Sequence, residues 1–499
     1  MICADIQRLI AYAIRSGLIT RDDELVVRNL LMDALGVADW SDAPLPDADA
    51  PIDDILAPLV GYACQTGVIE DTSANRDLFD TKLMGILTPM PREIIREFRT
   101  RYAVSPVAAT DWYYDNSQKL NYVRAGRIAK DLKWTYDSAY GRLDITINRS
   151  KPEKDPRDIA KAGATASVAY PKCQLCAENM GYAGRRDHPA RQNLRPIPIE
   201  IDGGAWYLQY SPYGYYNEHC IVFNRAHIPM VIDAAVFRKL FDFIGLFPHY
   251  FVGSNADLPI VGGSILSHEH FQGGRYTFAM ATAAEETEFN LPGYPDVHAA
   301  TVKWPMSVIR LSSADRSKLA EACAALLAKW RGYTDEAANI LAFTEGVPHN
   351  TITPIARRRN GLFECDLVLR NNLTSADRPL GVYHPNPSLH HIKKENIGLI
   401  EVMGLAVLPA RLATELEAVR EALLSGGDLT ENPQTASHAA WAQALLRRHP
   451  EFDRENAQAI IRAEVGAVFE QVLLDAGVFK RDEAGKAAFG RFLESLNNS

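Results

Sequence analysis

Two histidines and a glutamine alternate within five residues, His268-Glu269-His270-Phe271-Gln272, between Gly262-Gly263 and Gly273-Gly274. In an extended chain alternate residues share a face, so the two imidazoles and the carboxamide would point the same way. The flanking glycines let a ligand approach the backbone closely. Imidazole serves as metal ligand, base or nucleophile, and a carboxamide can donate to a phosphoryl oxygen. A buried, hydrogen-bonded histidine pair beside a glycine turn is the competing reading. The company of Gln272 and both glycine pairs favours chemistry over packing.

A second group lies upstream. Cys173-Gln174-Leu175-Cys176 is followed by a strand-like Cys220-Ile221-Val222-Phe223 that leads into Asn224-Arg225-Ala226-His227. A Cys-x-x-Cys alone fits redox, metal or accident. Two thiolates, His227 and one histidine of the pair would complete a tetrahedral, four-ligand zinc site of the structural kind. A capping or surface-loop histidine is the alternative for His227. Arg357-Arg358-Arg359 is a compact basic cluster suited to a sugar phosphate or diphosphate, or else a solvated turn. Lys151 and Lys154 offer a second cationic patch with the same two readings.

The elements that would carry these residues follow from hydrophobic period. Ile6, Leu9, Ile10 and Ala13 trace an amphipathic helix, and residues 1 to about 135 read as helical throughout. Pro89 and Pro91 stand just ahead of Glu93–Tyr102, as a helix start requires. Near residue 142 the period shortens: Leu143, Ile145 and Ile147 alternate with polar neighbours. Short strands at Trp206–Tyr210, Ile221–Phe223 and Phe363–Arg370 alternate with turn-rich loops. Leu412, Leu416, Val419 and Leu423, closed by Gly426-Gly427, restore the helical stripe, as do Ile461, Val465, Val468 and Val472. The expected fold class is α+β, with a mixed or antiparallel sheet core. The expected division is a helical region 1–138, a catalytic region 139–300, and a second α+β half with a helical C-terminus, 301–499.

Composition narrows the class. The 499 residues are 47% apolar and 23% charged, with a net charge of −9. Such a chain buries ample core without staples, and its acidic balance argues against a nucleic-acid footprint. Seven scattered cysteines suit a reducing compartment, where a close pair is a metal clip rather than a disulfide. No Lys or Arg precedes Arg8, so the basic start of a signal peptide is missing. The longest apolar run, Ile397 to Leu408, is interrupted by Glu401 and falls far short of the roughly 20 residues a membrane span needs. The expectation is a cytoplasmic protein with neither membrane nor nucleic-acid partner.

Taken in order, Cys-x-x-Cys, a strand ending in His227, and His-x-His-x-Gln resemble the galactose-1-phosphate uridylyltransferase family of the histidine-triad superfamily. The match spans roughly residues 170–275. Asp144–Asp155, Pro348–Asn372 and His390–Leu412 extend the likeness to the family's second, mainly bacterial class with its helical N-terminal extension.

This resemblance implies a ping-pong exchange of UMP between UDP-glucose and galactose 1-phosphate, giving glucose 1-phosphate and UDP-galactose through a uridylyl-histidine, as in the Leloir route. It puts the nucleophile at His270 and the phosphoryl-holding glutamine at Gln272. It makes Cys173, Cys176, His227 and His268 the ligands of a structural zinc. It places Asn255 near the nucleotide phosphates; Ser264 or Ser267 of the glycine-rich loop is a candidate donor to the same phosphates from its hydroxyl alone. Lys394 lies in a segment resembling one that contacts the sugar from a neighbouring subunit, while Arg357 and Arg358 are sugar-phosphate candidates from the basic cluster itself, with the solvated turn as their alternative. A homodimer is implied.

Two departures stand out. The best-known class has a proline between the histidines and a glycine before the glutamine, where this chain has Glu269 and Phe271. That class also carries a second metal site using a His-x-His on a later strand. The segment Phe363–Arg370 has no histidine, so that site is not expected to be intact despite His349 and Glu286. A nucleotidyltransferase or dinucleotide phosphorylase with another base is the nearest competing enzyme, and a silent zinc scaffold the reading from another class.

Overall fold

The computed structural model describes residues 2–42, 49–150, 169–263 and 265–497. These form two compact units, one of residues up to 130 plus 150–228, the other of 131–149 plus 229 onward.

The first unit opens with six amphipathic helices: α1 (Ile2–Arg15), α2 (Glu24–Leu35), α3 (Ile52–Gln65), α4 (Ser73–Ile86), α5 (Pro91–Tyr102) and α6 (Pro106–Lys119). Their starts are written locally. Thr72 and Ser105 accept the backbone N–H of Asn75 and Ala108, and Pro91 and Pro106 stand at first helical positions where an N–H is dispensable. Ile6, Leu9 and Ile10 of α1 bury against Leu31, Ile55, Leu59 and Leu83, which is the core the stripe foretold. A short α7 (Ala125–Ile128) follows, and Arg124 beside it donates to both Asp80 oxygens at 2.6 and 2.8 Å.

The chain then crosses into the second unit for a hairpin, β1 (Leu132–Ser138) and β2 (Gly141–Ile147), and returns at Ser150. Leu143, Ile145 and Ile147 are buried on one face of β2, as their alternation predicts. Back in the first unit, β3 (Ile197–Ile201), β4 (Gly204–Tyr210) and β5 (Cys220–Asn224) make an antiparallel meander. Tyr113 and Tyr210 tie this meander to α6: the Tyr113 hydroxyl donates to the Arg195 carbonyl at 2.9 Å, and the Tyr210 hydroxyl to the Thr110 carbonyl at 3.1 Å.

The second unit carries α8 (Ala234–Leu246), β6 (Phe251–Gly253) and β7 (His270–Gly274). It continues with α9 (Ala279–Thr282), β8 (Glu285–Glu288), β9 (His298–Val302), β10 (Val308–Ser313) and α10 (Arg316–Arg331). After a two-residue hairpin, β11 (Phe343–Thr344) with β12 (Val347–Pro348), come the long strands β13 (Asn350–Arg359) and β14 (Leu362–Asn371). Within this unit the sheet order is β7-β6-β13-β14-β10-β9-β8, every neighbour antiparallel. Asn360 and Gly361 both have positive φ, 50° and 81°, and make the tight turn that sets the β13–β14 register. Beyond lie α11 (Leu399–Val402), β15 (Leu405–Leu408), which runs parallel to β2, and the helices α12 (Leu412–Ser425), α13 (Ala439–Arg448), α14 (Ala457–Ala476) and α15 (Glu483–Ser495). The class is α+β, as expected from the sequence.

The N-terminus of α8 is capped by Asp233, whose carboxylate accepts from Ala235 and Val236 backbone N–H groups at 2.9 and 3.2 Å. Asp233→Ala is expected to cost about 1 kcal/mol, read as a lower urea midpoint with an unchanged slope.

Candidate functional site

β7 begins at His270, and His268 sits in the bend immediately before it, fully buried. The His270 ring is almost completely enclosed, with 7% of the residue exposed. Its Nδ1 lies 2.8 Å from the His268 carbonyl oxygen. A carbonyl only accepts, so Nδ1 carries the hydrogen and Nε2 is left with a free lone pair. Burial pushes the His270 imidazole down to about 4, against the opposing pull of that carbonyl, so the ring is neutral at pH 7. A neutral ring with a fixed tautomer and one basic nitrogen is the form a nucleophilic histidine requires. Gln272 follows on β7, partly buried and paired across the strands with Gly253. Glu269, between the histidines, is buried, and its carboxylate forms an ion pair with Lys239 of α8.

Asn255 leaves β6 two residues past its end and supports the glycine loop. Its Oδ1 accepts the Leu399 N–H at the start of α11, at 2.9 Å. A Cβ on Gly263 would fall 2.6 Å from the Asn255 Nδ2, and one on Gly262 would fall 2.5 Å from the Ala256 carbonyl. Both glycines are therefore required by close approach. Ser267 is exposed in the bend before His268, and Ser264 lies outside the described residues, as do Lys151 and Lys154.

In the first unit Cys173, Cys176 and His227 converge. The two sulfurs are 3.5 Å apart without a disulfide, and Cys176 Sγ is 3.1 Å from His227 Nδ1. The turn is tightly held: the Cys176 N–H donates to the Cys173 carbonyl at 3.3 Å, and the Leu175 N–H points at Cys173 Sγ at 3.4 Å. Asn179 clamps it from outside, its Nδ2 donating to the Cys173 and Cys176 carbonyls at 2.8 and 2.9 Å. His188 in turn meets Asn179 Oδ1 at 2.6 Å. Two thiols and an imidazole converging on one point suit a borderline-soft, tetrahedral cation such as zinc. Sequence reasoning missed the Asn179–His188 support, because nothing in the local pattern marks it.

The three arginines of β13 part company. Arg357 is buried and bonds Asp366 at 2.7 Å and also Glu364, so its charge is matched within the sheet. Arg358 projects to the other face and lies over the Phe363 ring at 3.8 Å. Arg359 reaches the Ala281 carbonyl. All three border a cavity of about 160 Å³ that Tyr250, Phe251, Tyr276 and Phe278 also line. Lys394 is exposed; its neighbour Lys393 is buried against Glu401 at 3.0 Å. Glu286 bonds Arg481 at 2.9 Å, and His349 bonds Asn372 at 2.9 Å.

Residues 43–229 match the family model described as galactose-1-phosphate uridyl transferase, N-terminal domain, and residues 244–443 match its C-terminal domain. The chain is 50% identical to the galactose-1-phosphate uridylyltransferase of Clostridium acetobutylicum, over 99% of this chain and all of that one. It is 51% identical to that of Halalkalibacterium halodurans over 99% of both, and 47% identical to that of Bacillus subtilis over 98% and 97%. Among solved structures, yeast Ap4A phosphorylase Apa2 aligns at 13% identity and a TM-score of 0.32, over 64% of this chain and 91% of that one. No helix among the described residues is long and apolar enough to cross a membrane.

Proposed function

Because the chain belongs to the galactose-1-phosphate uridylyltransferase family, whose members are nucleotidyltransferases, we propose that it exchanges UMP between UDP-glucose and galactose 1-phosphate through His270. The observation that carries this reading is the 2.8 Å contact of His270 Nδ1 with the His268 carbonyl, which leaves Nε2 as the basic nitrogen. In the first half-reaction Nε2 attacks the α-phosphorus of UDP-glucose; the N–P bond forms, and the P–O bond to glucose 1-phosphate breaks. In the second, a phosphate oxygen of galactose 1-phosphate takes the uridylyl group, and the imidazole is regenerated. Splitting the exchange this way lets one pocket serve both sugar phosphates in turn.

Gln272, two residues along β7, is assigned to a phosphoryl oxygen as charge builds there. Asn255 already spends its oxygen on Leu399, so its Nδ2 is the group offered to the nucleotide phosphates, with Ser264 or Ser267, nine and twelve residues on, as a further donor. Arg357 and Arg358 bear on the sugar phosphate through the cavity wall they share, and Lys394 through its exposed ammonium. A homodimer in the cytoplasm, acting in the Leloir route, completes the proposal.

Cys173, Cys176 and His227, with His268 as fourth ligand, are proposed to hold zinc. When bound, the ion supplies structural cross-linking and no acid–base step. Fixing His268 would fix the carbonyl that orients His270. Cys173→Ser is expected to drop zinc from about one per chain to well below it and to lower the melting temperature. Metal analysis beside a thermal melt checks this, and full zinc with unchanged stability would remove the metal clip.

The activity itself is tested by a coupled assay with UDP-glucose and galactose 1-phosphate, with diadenosine polyphosphates as the parallel substrate. Release of glucose 1-phosphate together with UDP-galactose supports the reading. Turnover of the adenosine compounds alone would move the substrate while keeping the histidine chemistry.

A further inference from the structure

Glu269 occupies the one position between the two histidines, and its carboxylate is only 4% exposed as a residue, an expensive place for a charge. Its partner is Lys239, one turn along α8 from Val236 and flanking the buried stripe of Phe237, Leu240 and Phe241. α8 packs on β6, the neighbour of β7, and on β13 beyond it. The ion pair turns the Glu269 side chain toward that helix.

The peptide unit that joins His268 to Glu269 supplies the carbonyl on which His270 Nδ1 hangs at 2.8 Å. Rotating that peptide would move the acceptor, and with it the ring. The peptide is bounded on one side by His268 and on the other by Glu269, whose side chain is anchored to a helix. We propose that the Lys239–Glu269 ion pair is a positioning device that sets the His268–Glu269 peptide plane and thereby aims His270 Nε2. Neither residue touches the reacting atoms; both act through the carbonyl. The inference rests on the reading of His270 as nucleophile.

The test compares the wild-type full-length protein with Glu269→Gln, Lys239→Met, Lys239→Arg and the double variant E269Q/K239M. Single-turnover release of glucose 1-phosphate from UDP-glucose, steady-state kcat and KM, and the melting temperature are measured for each. Lys239→Met leaves a buried carboxylate without its cation and is expected to lose stability. The double variant removes both charges and is expected to melt near the wild type. Its kcat and single-turnover rate should fall by about 10- to 100-fold, with KM changed less than about 2-fold, because only the aim of the nucleophile is lost. Lys239→Arg should recover most of what Lys239→Met loses, and the double variant should be no slower than the worse single one.

A folded double variant with wild-type kcat overturns the positioning role while leaving His270 as nucleophile untouched. A loss confined to KM overturns it as well. Failure of the wild-type protein to release glucose 1-phosphate at all would overturn the reading beneath it.

Discussion

Replacement of His270 by alanine is expected to reduce uridylyl exchange by at least about 10⁴-fold while the protein still folds. The magnitude follows from the role: the attacking nitrogen goes, and no neighbour on β7 can replace it. Gln272 is not nucleophilic, and His268 is fully buried, with its backbone carbonyl committed to the His270 ring. Folding should survive because one hydrogen bond, to the His268 carbonyl, is lost, at a cost of about 1 kcal/mol. Measuring glucose 1-phosphate release alongside the melting temperature checks both halves. Turnover within 10-fold of wild type, as an order-of-magnitude bound on nucleophile loss, would contradict the assignment.

The largest stability effect is expected from Asp366→Ala. Asp366 is wholly buried on β14 and receives Arg310 of β10 at 2.7 and 3.0 Å and Arg357 of β13 at 2.7 Å. Burial alone would push its carboxyl up; the two guanidiniums hold it below the usual carboxylate range. Arg310 extends the network by donating to the Met280 and Ala283 carbonyls at 2.9 and 3.1 Å, so that α9 is fastened to the same point. Removing the carboxylate leaves two buried cations with less than their due of negative charge, and a loss of about 3–5 kcal/mol follows. Urea unfolding of wild type and variant measures it. The sign with pH also follows: a depressed carboxyl stabilises above its unfolded value near 3.9 and loses that contribution as pH falls through its folded value. A cost under about 1 kcal/mol would mean that Glu364 alone balances both arginines.

How much of this could be read from the sequence depends on how local each cause is. The stripe of Ile6, Leu9, Ile10 and Ala13 and the alternation of Leu143, Ile145 and Ile147 name their own elements, because burial on one face imposes the period directly. The Cys173–Cys176 turn is equally local, with four residues closing one knuckle. His227, 51 positions from Cys176, joined it only as the ligand type that would complete a tetrahedral site, with a surface-loop histidine as the alternative.

What escaped is what tertiary packing decides. Arg357-Arg358-Arg359 reads as one basic patch, yet strand alternation sends Arg357 to Asp366 and Arg358 to Phe363. The Asn360-Gly361 turn was the available signal that this run sits in a hairpin. Two supports of the site could not be read from the sequence: the His268 carbonyl under the His270 ring, which depends on the bend before β7, and Lys239, 30 residues from Glu269 on a helix with no pattern of its own for chemistry.

The most direct test of the account is to incubate the protein with UDP-glucose alone and examine it by mass spectrometry. The account predicts an acid-labile adduct with the mass of one uridylyl group, located on His270, formed together with one equivalent of glucose 1-phosphate and discharged by galactose 1-phosphate. Exchange activity without any such adduct, or an adduct that persists in His270→Ala, would contradict it.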